Sequence, residues 1–200
     1  MRIYLASRSP RRRELLHQIA VPFETLLFRV GPRADPETDE TPLAGETSLV
    51  YVERVARAKA AHGARLLTLR QLPAAPVLSA DTTLALDGEI IGKPDDAAHA
   101  ALILQRLSGR EHQVLTGVAL SDGLQQRYVC SVSTVRFRVL AAGEIDAYVR
   151  SGEPMDKAGA YGIQGKAGAF VAHIAGSYTG IMGLPLFETA ELLKDYGWRL

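Results

Sequence analysis

Two Asp-Gly dipeptides constrain this chain more than any other feature. Asp87-Gly88 separates VLSADTTLAL from EIIG, and Asp122-Gly123 lies between HQVLTGVAL and RYVCSVSTVRFRVL. Apolar runs on either side of an Asp-Gly turn read as antiparallel hairpins, because both turn residues tolerate positive φ. Elsewhere apolar residues recur at helical spacing, so helices interleave with these strands. The combination predicts an α/β fold with a mixed twisted sheet and flanking helices, not a purely parallel sheet.

The remaining elements follow from caps and breakers. Arg2 to Ala6 reads as a strand. Ser9 then caps a helix with Pro10 at its first position, and Leu15, Leu16 and Ile19 repeat at helical spacing. Residues 22–30 suggest a second strand, and 31–46, rich in Pro, Gly, Thr and acids, an exposed loop. Thr47 or Ser48 caps a helix through about His62, and Asp95 or Asp96 another through Leu107, stopped by Gly109. AAGEIDAYVRSG predicts a short helix, DKAGAYGIQGKAGAF a loop, Gly168 to Ile174 a strand, and LPLFETAELLKDYG a closing helix. With no internal repeat, residues 1–200 read as one domain.

Composition narrows the function classes. The apolar share is 47%, charged residues are 22% and the formal charge is +1, as in an ordinary globular protein. Near-neutral charge argues against a general nucleic-acid binder. No apolar run approaches membrane-spanning length, and no secretory-type segment precedes the first strand, so neither a membrane nor an export route is expected. The single cysteine, Cys130, fits a reducing compartment and a small apolar role in a strand. A cytoplasmic protein is therefore expected. The five histidines have no metal-type spacing, so a zinc site is not expected, and no Walker-type Gly-Lys-Ser/Thr occurs.

Three segments fit poorly as structure alone. Arg11, Arg12 and Arg13 occupy the first turn of the Ser9 helix, whose unpaired N–H groups already make a positive pole. They read either as a solvated face, partly balanced by Glu14, or as a cradle for phosphate oxygens. Asp81, in Ser79-Ala80-Asp81-Thr82-Thr83, is a carboxylate set in an apolar strand. It is either a water-facing edge or bulge residue, or a metal ligand or general base at a cleft rim. Lys59, Lys93 and Lys157 form the third group; Gly92 and Pro94 fix the backbone around Lys93 and could aim it at an anion. Asp39 and Glu40, in the acidic loop, face solvent or join a cation site. Cations for phosphates, carboxylates for a hard metal and a glycine-rich loop together suggest nucleotide phosphate chemistry.

LASRSPRRRELL, SADTTLALDGEIIGKP, LTGVAL, DKAGAYGIQG and GSYTGIMGLPLFET, in that order, resemble the Maf family of nucleoside triphosphate pyrophosphatases from end to end. The resemblance implies two lobes around a deep cleft, as in inosine triphosphate pyrophosphatases, homodimeric assembly and a Mg²⁺ or Mn²⁺ requirement. It implies cleavage of a nucleoside triphosphate to the monophosphate and pyrophosphate, clearing non-standard nucleotides. By motif, Ser7, Ser9, Arg12 and Arg13 would bind phosphate and Asp81 would be the catalytic base. Lys59 and Lys93 would serve the phosphates or metal, and Glu40 would join Asp81 as a metal ligand. Substrate choice would track Arg11, Thr82 and Gln164, whose identities here resemble the dTTP/UTP-cleaving branch. The Gln164 amide offers a donor and an acceptor to a pyrimidine edge. Two alternatives remain at this level: a 7-methyl-GTP pyrophosphatase of the same family, and a non-catalytic, nucleotide-responsive regulator of septum formation.

Overall fold

The computed structural model describes residues 2–29 and 39–199. Val30 of the expected second strand, and residues 31–38 of the expected loop, lie outside these. The chain runs β1 (Ile3–Leu5), α1 (Pro10–Gln18), β2 (Phe23–Thr25), α2 (Ser48–Leu69), β3 (Val77–Leu86), β4 (Glu89–Ile91), α3 (Ala97–Leu107), β5 (Glu111–Ser121) and β6 (Gln126–Phe137). It closes with α4 (Ala142–Arg150), two 3₁₀ turns (Ala158–Ala160 and Lys166–Phe170), β7 (Val171–Ala175), α5 (Tyr178–Met182) and α6 (Leu186–Lys194).

Local chemistry explains most boundaries. Asp87 and Gly88 both have positive φ, 53° and 82°, the geometry that a two-residue hairpin turn requires. Ser9, Thr47 and Asp96 cap α1, α2 and α3, each side chain accepting from a backbone N–H three residues on. Three expectations shift. The second strand shortens to Phe23–Thr25, and the last begins only at Val171, after a 3₁₀ turn. Helix α2 continues past His62 to Leu69, with Gly63 as a packing position within it. A Cβ there would lie 2.7 Å from Val77 Cγ1, so the missing side chain lets α2 lie close to β3.

The seven strands form one sheet in the order β2-β1-β3-β5-β6-β7, with β4 also paired to β3. β1 is parallel to both β2 and β3, while β3, β5, β6 and β7 pair antiparallel, giving the expected mixed sheet. The edge of β3 opposite β5 is interrupted. β1 pairs only with Val77 and Leu78, and β4 only with Leu84 to Leu86. Among the described residues, 79–83 therefore face a gap in the ladder, and the candidate site residues gather around it.

Side chains on β3 alternate between two faces. Val77 and Ala85 pack in clusters with residues of α2, whereas Leu78, Ala80, Leu84 and Leu86 join the main core with α1, α3, α4, α5 and α6. Among the described residues, no helix is long and apolar enough to cross a membrane.

Candidate active site

The site begins where β1 ends and the chain turns into α1. Ser7 Oγ accepts from Ser9 N at 3.1 Å, and Ser9 Oγ accepts from Arg12 N at 3.4 Å. These bonds hold a tight turn ahead of the helix, and the first turn of α1 contains no acidic side chain. The positive pole is left uncompensated by the protein's own carboxylates there.

Asp81 lies beside the ladder gap on the α2 face, only 6% exposed. It is neither a bulge nor a water-facing edge residue. Its Oδ1 accepts from Lys59 Nζ at 2.8 Å, and the same ammonium contacts Glu40 Oε1 at 2.8 Å. Lys59 reaches this point because α2 crosses the sheet closely: opposite Asp81 stands Gly117, where a Cβ would lie 3.0 Å from Val52 O. Asp81 Oδ2 is buried with no hydrogen-bond partner among the described residues, an expensive state for a carboxylate oxygen. Burial works against ionisation of Glu40, but Lys59, Lys93 and Arg12 together hold its carboxyl below the usual range.

Thr82 projects to the opposite face from Asp81 and bonds Arg12, which also lies close enough to feel the charges of Asp81 and Glu40. Arg12 Nε donates to Gly183 O at 2.7 Å, Nη2 to Thr82 Oγ1 at 3.2 Å and Nη1 to Ser7 Oγ at 3.4 Å. Thr116 Oγ1 donates to Gly180 O at 2.7 Å, so the 2.9 Å contact between the two threonines must be donated by Thr82. The hydrogens thus run one way, from Arg12 through Thr82 and Thr116 to α5. Burial is the main influence lowering the Arg12 pKa, with Arg11 adding to it, while the charges of Asp81 and Glu40 oppose it. Arg12 is accordingly a strut as well as a cation facing the cluster.

The other sequence candidates lie further out. Arg11 is half-buried, its Nε has no hydrogen-bond partner, and its Nη1 is 3.6 Å from where a Cβ would sit on Gly162. It thereby borders the glycine loop two residues before Gln164, which is exposed. Lys93 is exposed but close enough for its charge to act on Glu40. Arg13 is half-buried, and Lys157 is tied to Glu153 O and Asp156, outside the cluster. Two participants were invisible in sequence. Thr116 sits within LTGVAL without a charge to mark it, and α5 is a five-residue helix in a glycine-rich stretch. Only the repeated small polar residues of GSYTG hinted at a cap, and Ser177 does cap α5.

The donor set suits a hard cation. Asp81 Oδ2 and the Glu40 carboxylate offer hard oxygen donors, and no cluster of three or more His, Cys, Asp or Glu occurs among the described residues. Mg²⁺ is commonly held by one or two carboxylates, with substrate phosphates completing its shell.

A strand-to-helix turn with a positive pole, a buried carboxylate on a lysine and a strut arginine have the chemistry suited to a phosphorylated ligand. The chain belongs to the Maf-like protein family, which it matches over residues 2–196. It is 65% identical over 199 residues to the dTTP/UTP pyrophosphatase of Dechloromonas aromatica, covering 100% of this chain and 99% of that one. It is 64% identical over 200 residues to the dTTP/UTP pyrophosphatase of Aromatoleum aromaticum, covering 100% and 97%. Among solved structures, the Staphylococcus aureus Ham1 protein aligns at TM-score 0.47 and 18% identity, over 68% of this chain and 72% of that one.

Proposed function

We propose that this protein hydrolyses dTTP and UTP, and modified pyrimidine nucleotides of similar shape, to the monophosphate and pyrophosphate with Mg²⁺ or Mn²⁺. The observation that carries the reaction class is Asp81. Its buried Oδ2 lacks a partner while Oδ1 is fixed by Lys59, an arrangement suited to accepting a proton from a water. The names of relatives at 64–65% identity support the pyrimidine triphosphate as substrate.

The chain's own groups divide the work. Asp81 Oδ2 orients the attacking water and takes its proton. Lys59 keeps that carboxylate in place, and Arg12, Arg13, Lys93 and the N–H groups of α1 neutralise charge on the phosphates. Such transfers depend mainly on positioning and electrostatics, so several cations and no protein nucleophile are expected. Asp81 and Glu40 would hold the divalent cation, which supplies further charge neutralisation at the phosphates. Arg11, Thr82 and Gln164 would set the base preference, with Gln164 pairing to the pyrimidine edge. The same reading takes the protein to be a cytoplasmic homodimer.

The test is pyrophosphate release from a nucleotide panel, with and without EDTA. Turnover of dTTP and UTP that EDTA abolishes and Mg²⁺ or Mn²⁺ restores is the expected result. Preference for 7-methyl-GTP would overturn the base assignment, and tight nucleotide binding without turnover would overturn the enzyme.

A further inference from the structure

Glu40 reaches Lys59 from a segment with no regular secondary structure. A loop carboxylate would ordinarily sample many positions, and each ordered residue opposes folding through lost entropy. Here the backbone around it is held by two side chains of α2. Arg54 Nη1 donates to Asp39 O at 3.1 Å, Tyr51 Oη to Glu40 O at 2.9 Å, and Arg54 Nη2 to Thr41 O at 3.0 Å. Three consecutive carbonyls are therefore captured, with Glu40 in the middle.

The capturing groups are themselves fixed. Tyr51 and Arg54 stand three residues apart on one helical face, and the guanidinium carbon lies 5.6 Å from the centre of the Tyr51 ring. Glu46 closes the arrangement: Arg54 Nε donates to its Oε1 at 2.7 Å and Nη2 to its Oε2 at 2.8 Å. The Glu46 side chain is only 3% exposed, and Oε2 also accepts from Leu43 N at 3.0 Å. Asp39 Oδ1 accepts from Thr41 N at 2.8 Å, tightening the turn on the other side. The Arg54 fork thus meets a carboxylate and two carbonyls at once, which the point charge of a lysine cannot reproduce.

We propose that Arg54, Tyr51 and Glu46 are positioning residues that deliver the Glu40 carboxylate to Lys59 and Asp81. None of them touches the cluster through its own side-chain charge; they act through the Glu40 backbone. The proposal rests on the reading of Glu40 as part of a pyrophosphatase site, and it concerns how that carboxylate is aimed.

The experiment compares wild type, Arg54→Lys, Tyr51→Phe, Glu40→Ala and Arg54→Lys/Glu40→Ala. Arg54→Lys should lower kcat/KM for dTTP by about tenfold or more, since small misplacements of site groups are costly. Tyr51→Phe, which removes one hydroxyl and keeps the ring, should lower it by a few-fold. In the Glu40→Ala background, Arg54→Lys should produce no further loss. Amide hydrogen exchange over residues 39–46 should quicken in Arg54→Lys while the rest of α2 stays protected. Unchanged exchange, or an activity loss that adds in full on Glu40→Ala, overturns the proposal. A wild-type protein that releases no pyrophosphate would sink the functional reading instead, and exchange alone would then decide the clamp.

Discussion

Replacing Asp81 with Asn separates chemistry from architecture at this site. Asn keeps the shape of Asp and still offers an oxygen to Lys59 Nζ, now 2.8 Å from Asp81 Oδ1. It removes the proton acceptor. General-base contributions are roughly 10²–10⁴-fold, so the barrier should rise by about 3–5 kcal/mol. Stability should respond quite differently. Stripping one partner from a buried ion pair normally costs about 3–5 kcal/mol, because the other charge is stranded. Lys59 is not stranded, since its ammonium retains Glu40 at 2.8 Å. The change also removes a buried anionic oxygen that has no partner. The net destabilisation should stay near or below about 1 kcal/mol, a Tm change of about 4 °C or less for a chain of this size. Pyrophosphate release from dTTP with Mg²⁺, alongside a thermal melt, reads both quantities. Retention of more than a tenth of wild-type activity, or a Tm drop of 10 °C or more, would show that Asp81 serves the fold.

Two further outcomes follow from buried polar groups. Thr116→Val leaves the Thr82 hydroxyl without its acceptor and Gly180 O with only the Gly183 N–H, at about 1–3 kcal/mol; a lowered urea midpoint that Thr116→Ser restores checks this. His112 is buried, and burial pushes its pKa down to about 4 from the usual 6.5. A depressed folded pKa means that the unfolded chain binds the proton more readily. Stability is therefore complete above about pH 6.5 and lost as pH falls towards about 4, by roughly 3 kcal/mol. Urea midpoints measured across that range should show a shallower slope in His112→Gln, and an equal slope would refute the assignment.

What the sequence revealed depended on whether the deciding interaction was local. The Asp87-Gly88 hairpin was legible because the turn chemistry lies in the two residues themselves. The Ser9, Thr47 and Asp96 caps were legible for the same reason. Asp81 stood out because a carboxylate amid apolar strand residues needs an explanation. The continuation of α2 past His62 to Leu69 was not legible, since the fit of Gly63 is set by Val77 across the interface. The bond from Arg12 to Gly183 spans 171 residues of sequence, and nothing in either segment announces it. A row of arginines on a positive helix pole suggested a ligand outline, but not that one of the three would also brace α5. The opposite facing of Asp81 and Thr82 follows from strand alternation, whereas the placing of Arg12 beside Thr82 and within reach of the Asp81 charge does not.

The gap beside β3 has a consequence for how the protein behaves in company. Among the described residues, five residues of β3 present an edge without a strand partner on one side, and open edges invite pairing with strands of other molecules. Here the opening is bounded by β1 at one end and β4 at the other, so an incoming strand could find only a few residues of register. The protein can therefore keep unpaired main chain in the middle of its sheet without offering a template for aggregation.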